Sequence, residues 1–352
     1  MVTNQEDIGS KQKLYDEYQF CIHELSNFFP ILQEEKSMES LLDTLEKGEV
    51  IIYLIYDGKN LITIYVSNKE VNIEKEEIQK DLDLMSYINK GEEELLKALS
   101  FIENALVKSI PKDIKKIYFS AFGVLNLLPL HAMITDRSKK YETYLIEDYE
   151  LSYIPSLSIL QHLKKRSPLM VNQKENLFIA IEEFQEEAKV CQLILGGESF
   201  VEMDLIKCKK LLINQNYNIV HFSTHGGVDM KQPLNSKILI QEPHISLTLL
   251  DIYGLKFRAN LVTLSACRTN VSKVESADEV LAFERAFLVA GVNNTLSTFE
   301  VVKNYSTQRF MERFYTSLKE NDNALTTAFR LAAIESIATE NREWIRFRFT
   351  GF

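Results

Sequence analysis

From residue 176 onward, short apolar runs alternate with stretches of helical spacing, and that alternation leaves few folds open to the chain. NLFIAI (176–181) precedes a predicted helix near 185–195, and SFVEM (199–203) precedes one near 205–214. NIVHFS (218–223), KILIQ (237–241) and ANLVTLSA (259–266) read as further strands. A long helix is expected from Asp278 to Gly291, a residue suited to a C-terminal cap. The strand NTLSTF (294–299), helices near 305–319 and 324–337, and a last strand EWIRFRF (343–349) complete the series. Short apolar strands separated by helices predict an α/β fold whose mainly parallel sheet is sandwiched by helices.

The earlier part of the chain is less rhythmic. Tyr15, Tyr18, Ile22, Leu25 and Phe29 recur at helical spacing, and a second short helix is expected at 38–45. IIYLIY (51–56) and LITIYV (61–66) flank Asp57-Gly58, a dipeptide that favours a tight hairpin turn. Helices are expected at 73–88 and 92–109, the second ended by Pro111, followed by strands in IKKIYFSAF (114–122) and YELSYIP (149–155). No linker, low-complexity tract or tetratricopeptide-length repeat interrupts the 352 residues, so they read as one continuous α/β unit.

Bulk composition removes several function classes. A net charge of −10, spread along the chain and without a basic cluster, argues against direct binding of nucleic acid. No apolar run approaches the roughly 18 residues of a membrane span, so no membrane association is expected. The N-terminus lacks the apolar core of a secretory signal. The four cysteines (Cys21, Cys191, Cys208, Cys267) lie far apart, which fits neither a disulfide framework nor a zinc site and suits a reducing, cytoplasmic setting. In parallel sheets, ligands bind beyond the carboxyl ends of the strands. Two reactive loops belong there: Thr224-His225-Gly226-Gly227 after NIVHFS, and Cys267-Arg268-Thr269 after ANLVTLSA.

Those loops carry a coherent chemistry. A thiol attacks a carbonyl as thiolate, and a histidine within reach removes its proton and later protonates the leaving amine. The tetrahedral oxyanion then needs backbone donors, for which the Gly226 and Cys267 amides are the candidates. His221, inside the strand, reads as a core histidine. Cys191 and Cys208, on helical patterns, read as packing residues, and Cys21 and His23 carry little weight.

Ser265-Ala266-Cys267-Arg268 resembles the caspase nucleophile signature, with a histidine some forty residues upstream. More closely, the chain from about residue 38 onward resembles the CHAT domain family of bacterial caspase-like and separase-like peptidases. The likeness rests on His221-Phe222-Ser223-Thr224-His225-Gly226, on Leu264-Ser265-Ala266-Cys267, and on Arg285-Ala286-Phe287-Leu288-Val289-Ala290-Gly291. Phe314-Tyr315, Trp344, Phe347, Gly351-Phe352, IYFSAFGVLNLLPLHAM and YLIEDYELSYIPS also fit. Thr298-Phe299-Glu300-Val301-Val302 departs from the family's tryptophan-containing run, and Asn304 stands where an aspartate is usual.

The resemblance implies an N-terminal helical segment (1–38), a pseudo-caspase half (39–170) and a caspase-like catalytic half (171–352). It implies cysteine endopeptidase activity through a Cys267 thioester, with His225 as general base and no metal or organic cofactor. It further implies a regulated bacterial protease of stress or antiphage defence, acting on a protein substrate and held off until a partner or processing activates it. Asp229 and Glu300 are candidate acids of a pocket for a basic substrate side chain, because a desolvated carboxylate is tolerable only when paired. Asp278 and Glu279 read instead as first-turn helix acids. The alternatives are a catalytically silent interaction module of the same family, and an α/β ligand sensor using the same crevice.

Overall fold

The computed structural model describes residues 42–78, 84–88, 90, 92–107, 110–111, 113–138, 142–166, 169, 175–229, 231–268, 277–298, 304–322 and 324–352. The helical reading of the first forty residues and the pocket assignment of Glu300 lie outside them. Among the described residues, thirteen strands form one sheet. The predicted hairpin is β1 (Glu49–Tyr56) and β2 (Asn60–Ser67), antiparallel with Ile51 opposite Val66. The Asp57 carboxylate accepts the Lys59 and Asn60 amides and so closes the turn.

Where a helix over 73–88 was expected, the chain instead forms β3 (Val71–Glu77), an edge strand antiparallel to β2, and then the short helix α1 (Leu84–Ile88). The Ser67 hydroxyl accepts the Lys69 and Glu70 amides and folds the chain back onto β2. Ladder pairing then outweighs the helix propensity of the Glu/Lys run. The second expected helix is α2 (Glu92–Val107).

Strands β4 (Lys116–Ala121) and β7 (Glu150–Tyr153) continue the sheet in parallel beside β1. Between them lie a small separate ribbon, β5 (Ile134–Asp136) with β6 (Thr143–Tyr144), and the short helix α3 (Leu145–Asp148). Helix α4 (Leu157–Lys165), capped by Ser156, follows β7 and had no counterpart in the sequence reading.

The second part alternates as expected: β8 (Asn176–Ala180), α5 (Gln185–Leu195), β9 (Glu198–Val201), α6 (Leu205–Asn214) and β10 (Tyr217–Gly227). Next come β11 (Lys237–Gln241), β12 (Ile245–Thr248), α7 (Leu249–Gly254), β13 (Ala259–Arg268), α8 (Ala277–Ala290) and β14 (Asn294–Thr298). The chain closes with α9 (Asn304–Glu320), α10 (Leu325–Ala338) and β15 (Phe347–Thr350). The last strand is shorter than expected, because Glu343–Arg346 turns as a 3₁₀ helix that buries Trp344.

The sheet runs β12-β11-β10-β13-β14-β15-β7-β4-β1-β2-β3, with β8 also on β10 and β9 on β8. Parallel pairs dominate its centre, and antiparallel pairs lie toward the edges and at β14–β15. Alternation sends one set of side chains to each face. Ile219, Leu261, Leu296, Phe347 and Phe349 join the core under α2, α5, α9 and α10. Val220, Phe222, Val262 and Leu264 pack on the opposite face, under α6, α7 and α8. No helix among the described residues is long and apolar enough to cross a membrane.

Candidate active site

Strand β10 carries His221, Ser223 and His225 on one face, two residues apart. On the parallel strand β13 their register partners are Thr263, Ser265 and Cys267. A pair of contacts shows that registered partners share that face. Tyr315 of α9 donates its hydroxyl proton to Thr263 Oγ1 at 2.8 Å and lies 2.7 Å from His221 Nδ1. Two further steps along both strands bring His225 beside position 267 on this face, at the carboxyl ends of both strands. For Cys267 it is the backbone that the structure describes.

Beneath the rim, the buried residues form a polar chain. The Glu187 carboxylate accepts the Ser223 hydroxyl at 2.8 Å and lies 3.0 Å from His221 Nε2, while Ser223 Oγ lies 2.7 Å from that same nitrogen. His221 is fully buried, as the sequence reading of a core histidine required. Interior polar groups at this density are tolerable because each finds a partner. Cys191 and Cys208 are likewise buried in packing roles. Burial pushes the Cys208 thiol up to about 12 and raises that of Cys191 as well, which keeps both protonated and unreactive.

His225 itself is partly open, its side chain 24% exposed. Its Nε2 lies 2.9 Å from Glu183 Oε2, and the Phe184 ring meets the imidazole edge-on at 4.8 Å between centroids. These two contacts fix the ring in plane and in direction. Nδ1 is buried and, among the described residues, has no hydrogen-bond partner. Glu183 had escaped the sequence reading, although the logic that found His225 also finds it. It sits in the turn directly after β8, the parallel neighbour of β10 on the side opposite β13.

Gly226 is in register with Arg268 on β13 and with Ile238 on β11, within the ladder at the strand end. Asp229 lies just beyond, half-buried. Its Oδ1 accepts the amides of Lys231 and Gln232, so the carboxylate closes its own turn. Positions 278 and 279 fall in the first turn of α8. Glu183, His225 and Glu242 place three potential metal-ligand atoms within 4.8 Å of one another.

A family model described as the CHAT domain matches residues 93–345. The chain belongs to the CHAT domain family. Among solved structures, this CHAT domain resembles separase in the Saccharomyces cerevisiae separase–securin complex, with a TM-score of 0.59 and 12% identity, covering 89% of this chain and 30% of that one. Gingipain R, an Arg-specific cysteine proteinase, aligns at a TM-score of 0.47 and 8% identity over 76% of this chain and 74% of its own. The separase likeness bears out the caspase-like architecture expected from the sequence. Human Tetratricopeptide repeat protein 28 is 23% identical over 290 residues, which cover 65% of the chain. The chain spans 12% of that curated relative's length.

Proposed function

We propose that this CHAT domain is a cysteine endopeptidase in which Cys267 is the nucleophile and His225 its general base. The observation that carries the reading is the ladder register, which makes these two residues neighbours at the carboxyl edge of a parallel sheet. The partners of His225 support a division of labour within its ring. With Nε2–H donated to Glu183, Nδ1 keeps its lone pair and is the nitrogen free to accept the thiol proton. The thiolate attacks the peptide carbonyl, and the Gly226 and Cys267 amides stabilise the oxyanion. The imidazolium returns its proton to the leaving amine, and water hydrolyses the thioester.

The half from 171 to 352 carries this chemistry, the half from 39 to 170 serves as its non-catalytic support, and 1–38 precedes both. The enzyme acts in the cytoplasm on a protein substrate, kept off until a partner or processing releases it, in a stress or antiphage response. Asp229 or Glu300 supplies the carboxylate that pairs with a basic substrate side chain. If so, Asp229→Asn or Glu300→Gln weakens cleavage after arginine or lysine far more than after apolar residues in a peptide library. An apolar preference indifferent to both variants removes that part of the proposal.

The central experiment is a double-mutant cycle. Cys267→Ala and His225→Ala are each expected to lower peptide cleavage by at least about 10³-fold, with the double variant hardly worse than either, because the pair acts as one unit. Substantial turnover by Cys267→Ala would overturn the assignment. The same pair separates an enzyme from a silent interaction module: His225→Ala should slow alkylation of the Cys267 thiol in an enzyme and leave it unchanged in a scaffold.

A further inference from the structure

Two loops and one strand end converge at the His225 ring. Glu183 follows β8, His225 ends β10, and Glu242 follows β11. They bring one imidazole nitrogen and two carboxylates within 4.8 Å of one another. A single residue couples the two loops. Glu202 accepts the Glu182 amide on Oε1 at 2.9 Å and the Glu242 amide on Oε2 at 2.7 Å. The Glu183 and Glu242 loops are thereby held at a fixed spacing across the histidine.

Among the described residues no lysine or arginine pairs with Glu242, whose carboxylate stands within 4.8 Å of that of Glu183. Donor atoms of a tetrahedral zinc shell stand about 3.4 Å apart, as metal–ligand lengths near 2.1 Å require. Glutamate side chains on the surface reach that separation by rotamer adjustment. An imidazole in the set favours zinc over calcium or magnesium, whose preferred ligands are all oxygen.

We propose that Glu183, His225 and Glu242 form an inhibitory zinc site that takes the catalytic imidazole out of use. Zinc coordinates through the Nε2 lone pair, so the one ring proton of neutral histidine moves to Nδ1. Nδ1 then carries a proton already and accepts none from the Cys267 thiol. The metal also displaces Glu183 from its hydrogen bond to the ring. Activity returns when a chelator or a competing protein removes the ion. This consequence for activity rests on the peptidase reading above; the metal site itself does not.

The test separates the two. Zinc chloride is titrated by equilibrium dialysis into Cys267→Ala protein, which lacks the thiol as an alternative ligand. About one equivalent should bind, and adding Glu242→Gln should weaken that binding at least tenfold. Glu242→Ala, checked by circular dichroism, should do the same. No binding by the Cys267→Ala protein, or equal binding with and without Glu242→Gln, overturns the site even if the chain proves inactive as a peptidase. With the unmodified chain, zinc should inhibit peptide cleavage reversibly, and Glu242→Gln should keep zinc-free activity while needing at least ten times more zinc. Inhibition unchanged by Glu242→Gln places the metal elsewhere and refutes the proposal.

Discussion

Glu183 and Phe184 fix the orientation of an imidazole at a strand end. The carboxylate takes Nε2 at 2.9 Å, and the aromatic ring braces the imidazole from the side. Glu183 is half-exposed, so it contributes little to folding. Glu183→Gln should therefore leave urea stability unchanged while lowering kcat about tenfold to a hundredfold with KM nearly constant, since the ring loses its orienting charge. A proportional loss of stability, or an effect confined to KM, would show that Glu183 does not position the base. His225 and Cys267 were legible because both follow apolar strands and both carry reactive atoms. Glu183 was not, because an acid after a strand is ordinary until its neighbour across the sheet is known.

Elements differ in how far local sequence decides them. Helix α8 ends where glycine permits it: Gly291 has φ +127°, and a Cβ there would lie 2.4 Å from the Phe257 carbonyl oxygen. Gly291→Ala is expected to destabilise the fold by more than about 1 kcal/mol in urea unfolding, through both the backbone angle and the clash. An unchanged midpoint would mean that the 257–258 segment yields without cost. Strand β3 shows the opposite case. Its residues are all exposed and rich in Glu and Lys, and the ladder with β2 draws them into the sheet against that composition.

On the scale of the whole molecule, the two parts of the chain meet through one sheet, a shared apolar core and a few buried polar groups. Arg348 of β15 donates to the Asn126 carbonyl, stacks on the Tyr153 ring and lies 3.5 Å from Glu284 of α8. His131 is enclosed by Tyr153, Phe329 and Trp344, its Nδ1 2.9 Å from the Tyr153 hydroxyl and its Nε2 3.4 Å from the Trp344 carbonyl oxygen. Burial holds its pKa down to about 3, against 6.5 for a free imidazole. The folded chain keeps this histidine neutral where the unfolded chain protonates it. Its contribution is therefore intact above about pH 6.5 and is lost as pH falls toward 3. The loss runs at up to about 1.4 kcal/mol per pH unit. Urea midpoints from pH 7 to pH 4 should fall more steeply in the parent than in His131→Gln, and parallel slopes would contradict this.

The sequence by itself determined the α/β class, most strands and helices after residue 176, and the rim that carries His225 and Cys267. Those features depend on local periodicity and on strand direction, which a linear pattern records. Only the tertiary structure decided that β8 lies beside β10, that β15 joins the sheet to β7, and that 71–77 is a strand. Each depends on which strand supplies the open hydrogen-bonding edge, a partner far away in sequence. For the same reason only the folded sheet reveals Glu183 and Glu242 around the imidazole, since side chains on separate loops acquire a common chemistry when strand pairing brings them together.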